Sequence, residues 1–234
     1  TGKFNQAASF NGSSSIIQGT QPAQTKNFTI SAWVKTTLTG TWATAIGMGG
    51  TNGVATAGAN MFISGSTESL STSWGTGSAE DYWTTDPTTK INTGEWFHIA
   101  ITVNNIHAPT VKGYINGVLE GYGSSGSDAI AYKPNEFTIG GRNLSGTLQS
   151  YWNGEIEQVR FYGTDLTSVD IQNIYNNSKP GSLSLLKTSS DLTTTTCNFP
   201  SGTTGTALYQ FEDNVDDSCT VGPYNLTAVG SPTY

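Results

Sequence analysis

Apolar and polar residues alternate with a period of two along most of the chain, in short runs separated by Gly, Thr, Asn and Ser. That period sends successive side chains to opposite faces of an extended backbone, so each run predicts a β-strand. The clearest run is Phe28 to Lys35 (FTISAWVK). Others are Ala8 to Phe10, Ser15 to Ile17, Ala45 to Met48, Asn60 to Ile63, Phe137 to Gly141, Gly154 to Tyr162 and Leu208 to Phe211. Glu95 to Val103 (EWFHIAITV) is more continuously apolar and predicts a central strand. Val111 to Ile115 and Val118 to Glu120 flank Asn116-Gly117, two residues that tolerate φ > 0, and predict a tight hairpin. A helical stripe occurs in one place, Thr167 to Asn177. There Leu166, Val169, Ile174 and Tyr175 fall on one side, and Thr167 with Asp170 has capping-box spacing. Many short strands and one short helix near residues 167–177 predict an all-β fold, a two-sheet antiparallel sandwich.

Composition changes that picture little and narrows the function. The 234 residues are 35% hydrophobic but only 12% charged, with 28 Gly and abundant Thr, Ser and Asn, a balance that suits strands and tight turns. Six Trp and 11% aromatics overall supply enough burial to exclude acidic disorder. A net charge of −7 argues against a nucleic-acid partner. No apolar run approaches the ~20 residues of a membrane helix, so no membrane insertion is expected. The chain opens Thr1-Gly2-Lys3-Phe4 with no initiator Met, and the native start is expected elsewhere. Cys197 and Cys219 would close a loop of 23 residues if bonded, worth about 3 kcal/mol. A disulfide implies an oxidising compartment; the other reading is two thiols that never meet.

Four stretches, in order, give the chain a likeness. They are Gly2 to Ser13 (GKFNQAASFNGS), Phe28 to Lys35, Trp96 to Ala100 (WFHIA) with Tyr114 to Gly117 (YING), and Gly154 to Tyr162 (GEIEQVRFY) running into the helix. Together they resemble the laminin-G-like jelly-roll family of the concanavalin A-like lectin/glucanase superfamily. The resemblance covers residues 1–177 and implies a two-sheet jelly roll. Such domains open with a strand similar to Leu208 to Asp213 (LYQFED), which here stands near the C-terminus. Residues 178–206 then read as a Ser/Thr-rich linker, and residues 207–234 as the first strand and turn of the same fold. Three readings of this seam stand open. The strand of Leu208, Tyr209 and Phe211 folds onto its own chain, or the sequence is one period of a tandem array, or the strand completes a neighbouring subunit. The last would build a homo-polymer by strand exchange.

Candidate chemistry is sparse. Glycan-cleaving relatives use carboxylates at alternate positions of one strand, and their Glu-x-Asp-x-Glu pattern is missing here. Glu155 and Glu157 have alternate spacing but sit in the family's closing strand, where exposure or pairing with a base such as Arg160 explains them. His98 reads as a satisfied core or edge histidine. Neither a nucleophile elbow nor zinc spacing nor a phosphate loop is found, so no enzyme is expected. Glu212, Asp213, Asp216 and Asp217 gather hard oxygen ligands within six residues, which suits calcium at a turn; a plain Asx-type turn explains them equally. Sugar binding needs an exposed aromatic face beside polar groups. Trp74, Tyr82 and Trp83 form one candidate cluster, and Arg142, Tyr151 and Trp152 another, although loop aromatics also cap sandwich ends or meet subunits. Five Asn-x-Ser/Thr sequons are near chance for this composition. The expectation is an extracellular, cell-surface or virion module that binds glycan or a neighbouring subunit.

Overall fold

The computed structural model describes residues 2–4, 6–20, 27–48, 59–75, 80–85, 88–104, 110–124, 136–144, 146–178, 207–209, 211 and 226–233. Cys197 and Cys219, the acidic turn of Asp213, Asp216 and Asp217, and nearly all of the 178–206 segment lie outside the described residues. The strands in chain order are β1 (Ala8–Asn11), β2 (Ile16–Gly19), β3 (Phe28–Thr36), β4 (Ala43–Met48), β5 (Ala59–Ile63), β6 (Leu70–Gly75) and β7 (Glu80–Thr84). They continue with β8 (Trp96–Asn104), β9 (Thr110–Ile115), β10 (Val118–Ser124), β11 (Phe137–Ile139), β12 (Arg142–Leu144) and β13 (Thr147–Gln149). The chain then forms β14 (Asn153–Tyr162), the helix α1 (Ser168–Asn177), β15 (Ala207–Tyr209) and β16 (Thr227–Val229). The fold is the expected antiparallel jelly-roll sandwich.

The first sheet has the order β1-β14-β3-β8-β9-β10, with β15 also on β14; the second runs β16-β2-β11-β4-β5-β6-β7. Alternation sorts their side chains. Phe28, Ile30, Ala32 and Val34 of β3, Ile99, Ile101 and Val103 of β8, and Ile156, Val159 and Phe161 of β14 meet Ile46, Met48, Met61, Ile63, Phe137 and Ile139 of the second sheet in one core. The hairpin at Asn116-Gly117 forms as its sequence predicts, with φ of 51° and 81°. Thr167 caps α1, its side chain accepting from the Asp170 amide while the Asp170 carboxylate accepts from the Thr167 amide. Ile171 and Ile174 of α1 pack with Ala100, Tyr114 and Tyr162 on the outer side of the first sheet.

In this structure β15 and β16 pair with strands of their own chain. β14 is ten residues long, and its edge away from β3 is shared. Ala8 to Asn11 of β1 pair with Asn153 to Ile156, and Ala207 to Tyr209 of β15 pair with Val159 to Phe161. Between the two lies a bulge, where the register against β3 shifts between Glu157 and Arg160 and Gln158 takes φ of 49°. Tyr209 stacks on Phe137 with ring centroids 5.9 Å apart, and Phe211 joins the core that holds Phe10 and Phe161. Downstream, β16 pairs with β2 in the other sheet, and Thr233 bridges Ser9. Residues 207–209 therefore join the first sheet and residues 227–229 the second.

Candidate functional site: the outer face of the second sheet

Facing away from the core, the second sheet carries a polar row. Register links Thr227, Gln18, Thr138, Gly47, Asn60, Ser73 and Tyr82 across all seven strands. None of these positions is apolar except for the aromatic Tyr82, because the inward-pointing neighbours Ile17, Ile139, Ile46, Met61 and Trp74 fill the core. Asn60 donates to the Ser73 hydroxyl at 3.1 Å, and the Thr138 hydroxyl donates to the Gly141 carbonyl at 2.7 Å. The adjacent row runs Thr44, Phe62, Ser71, Thr84. At its start Trp42 lies over Phe62, with centroids 5.2 Å apart, and is 47% exposed.

Beside this face stands the β12–β13 hairpin, which touches both β4 and β11. Its base is tied by backbone bonds: the Thr44 amide donates to the Ser150 carbonyl, and the Trp152 amide to the Gly140 carbonyl. Half-buried Arg142 and Tyr151 belong to this hairpin and its exit, and the Tyr151 hydroxyl donates to the Leu148 carbonyl at 3.1 Å. Glu136, one residue before β11, is 7% exposed and accepts the Asn143 side-chain amide at 2.8 Å. Burial pushes its carboxyl above the usual range, against the pull of the Asn143 hydrogen bond.

The predicted sugar residues divide. Trp74 and Trp152 were expected as exposed loop aromatics and are instead core residues, 2% and 0% exposed. Trp74 lies on β6 at an inward register, and Trp152 is held between backbone bonds to Gly140 and Gly12. Trp83 is half-buried and packs on the core. Its indole sits on Gly113, Gly121 and Gly123 of β9 and β10, where any Cβ would strike the ring, so it closes the gap between the two sheets at their edges. Tyr82 holds the register position opposite Ser73, on the polar row. Arg142, Tyr151 and the Tyr82 position thus border one face, while the platform residue Trp42 was missed. Trp42 stands in a Gly/Thr stretch with no alternation to show which way it points; its isolation there is the only sequence signal.

The other candidates lie on the opposite sheet. Glu155 pairs with a basic side chain, that of Lys35, at 3.1 Å. Glu157 is buried and accepts the Lys3 backbone amide at 2.7 Å. His98 is buried as expected, but not satisfied: neither ring nitrogen has a hydrogen-bond partner. It lies between Trp33 and Tyr175, and burial, with the nearby Arg160 charge, lowers its pKa to about 3. Among the described residues, no three His, Cys, Asp or Glu side chains gather as a metal site. No described helix is long and apolar enough to cross a membrane.

Known proteins place this geometry. No curated protein sequence matches the chain. Among solved structures, a Bacteroides ovatus protein described as carbohydrate-binding superposes with a TM-score of 0.62 at 15% identity, covering 99% of this chain and 62% of its own. The SAP-like pentraxin of Limulus polyphemus gives 0.57 at 15% identity, over 77% of this chain and 86% of its own. Domain 4 of the extracellular arabinanase AbnA from Geobacillus stearothermophilus, solved with arabinotriose, gives 0.53 at 26% identity, over 73% and 77%. The Laminin_G_3 profile matches residues 10–172, and the chain belongs to that family of the concanavalin A-like lectin/glucanases superfamily.

Proposed function

We propose that the chain is a non-catalytic glycan-binding module of an exported or particle-surface protein, and that it binds through the outer face of the second sheet. The observation that carries this reading is Trp42, an indole 47% exposed and backed by Phe62 at one end of this face. A sugar presents an apolar C–H face and a rim of hydroxyls, and an exposed indole offers the stacking surface for the first. The similar domains described as carbohydrate-binding, or solved with arabinotriose, add support. Net charge of −7 favours a neutral glycan over a polyanionic one. The test is a glycan array followed by calorimetry on the strongest ligand. Trp42→Ala is expected to weaken binding roughly two- to tenfold, in keeping with ~0.5–1.5 kcal/mol for a lost aromatic contact. Unchanged affinity in Trp42→Ala would move the site off this face.

A further inference from the structure

Glu136 is the least explained group near this face. Its side chain is 93% buried by its 7% exposure, yet its Oε2 atom has no hydrogen-bond partner while Oε1 accepts from Asn143. An unmatched buried carboxyl oxygen costs stability, and an apolar residue of similar size would avoid that cost. Asn143 in turn uses both ends of its amide. Nδ2 donates to Glu136, and Oδ1 accepts the Gly146 backbone amide at 2.8 Å, shaping the turn between β12 and β13. One side chain therefore joins the tip of the hairpin to the second sheet. Ties at Gly140, Gly141 and Ser150 hold the hairpin's base.

We propose that Glu136 and Asn143 form a clasp that positions the β12–β13 hairpin on the second sheet, and that Glu136 is thereby a positioning residue for the ligand face. The second half rests on the glycan reading above; the first does not. Without the clasp the hairpin pivots about its base, shifting the Leu148 carbonyl that holds the Tyr151 hydroxyl and so changing the border of the Trp42 face. Glu136 needs only to accept from Asn143, so the role belongs to one oxygen and not to the charge. Gln at this position keeps the acceptor and supplies an amide in place of the unmatched oxygen.

The test compares Glu136→Ala, Asn143→Ala and Glu136→Gln by hydrogen exchange of the 142–149 backbone amides, and by binding of arabinotriose and sialyllactose as neutral and acidic probes. Both Ala variants are expected to speed exchange in the hairpin about tenfold or more, with β3 and β8 unchanged, while Glu136→Gln stays near the parent. Binding of whichever probe the parent takes falls in the Ala variants and is retained in Glu136→Gln. Unchanged hairpin exchange in both Ala variants overturns the clasp. Equal loss of binding in Glu136→Gln and Glu136→Ala, with exchange unchanged, overturns it too and makes Glu136 a ligand contact. Faster hairpin exchange in both Ala variants of a parent that binds neither probe leaves the clasp standing and counts against the glycan reading alone.

Discussion

The two outer faces of the sandwich follow the same alternation and differ in what covers their aromatic side chains. On the first sheet, register places Glu157, Trp33 and His98 in one outward row, and all three are buried. Residues 2–4 and the end of α1 lie over them: Lys3 Nζ stands 4.4 Å above the Trp33 ring, Phe4 meets its edge, and Ser178 accepts from its indole N–H at 3.1 Å. On the second sheet the outward aromatic Phe62 is 7% exposed, and Trp42, just before β4, lies over it and is itself 47% exposed. An outward aromatic is thus not in itself a ligand platform. What decides is whether a neighbouring segment has an apolar side to lay over it. The helix has one in Ile171 and Ile174; the β12–β13 hairpin sets Leu144 and Leu148 at separate register positions, each opposite a polar residue, and has no continuous apolar side.

The largest expected effect breaks the covered face. Trp33→Ala removes the side chain on which residues 2–4, His98, Tyr175 and Ser178 all converge, and should cost about 3–5 kcal/mol in chemical denaturation. Trp42→Ala, on the open face, should change stability by less than ~0.5 kcal/mol. Similar losses for both would mean that the two faces are not different in kind.

Next comes pH. His98 has its pKa lowered to about 3 in the folded chain from an ordinary 6.5, first by burial and then by the Arg160 charge. Glu157 and Trp33 lie in the same row, and Tyr175 packs from α1. The unfolded state therefore binds the extra proton between those two values. Stability contributed by the neutral imidazole is fully present above about 6.5 and is lost as pH falls towards about 3, with a slope approaching ~1.4 kcal/mol per unit. His98→Phe fills the same aromatic site without a titrating group and should flatten the curve over that window. Persistence of the full slope in His98→Phe would assign it to the carboxylates.

Legibility followed periodicity. β3, β8 and β14 came through because each sets apolar core residues against outward polar or aromatic ones over nine or ten positions. The capped helix and the Asn116-Gly117 turn were likewise written in local chemistry. The β6–β7 pair was not: Leu70 to Gly75 (LSTSWG) is buried throughout, and its Ser and Thr are buried by neighbours in space that leave no trace in local order. For the same reason Trp74 and Trp152 looked like loop aromatics. The β12–β13 hairpin read as a polar loop, since a hairpin packed on a polar row needs no apolar side. The candidate site was therefore half visible, through Arg142, Tyr151 and Tyr82, and its exposed platform was not.

The smallest expected effect sharpens the covered face without breaking it. Lys3 makes two separable contributions there. Its backbone amide donates to buried Glu157, and its ammonium lies over the Trp33 ring. Lys3→Met keeps the amide and most of the side-chain length, so it isolates the charge–ring contact. The loss should be about 0.5–1 kcal/mol, the usual range for a partly exposed cation–π pair. The measurement is a urea midpoint in the parent and in Trp33→Phe, alone and combined with Lys3→Met, because a coupled pair gives non-additive losses. Full additivity would mean that the ammonium merely lies near the ring. Residues 2–4 would then be held by the Glu157 carboxylate and the Phe4 edge contact, and the closure of this face would depend on backbone capture, not on the lysine charge.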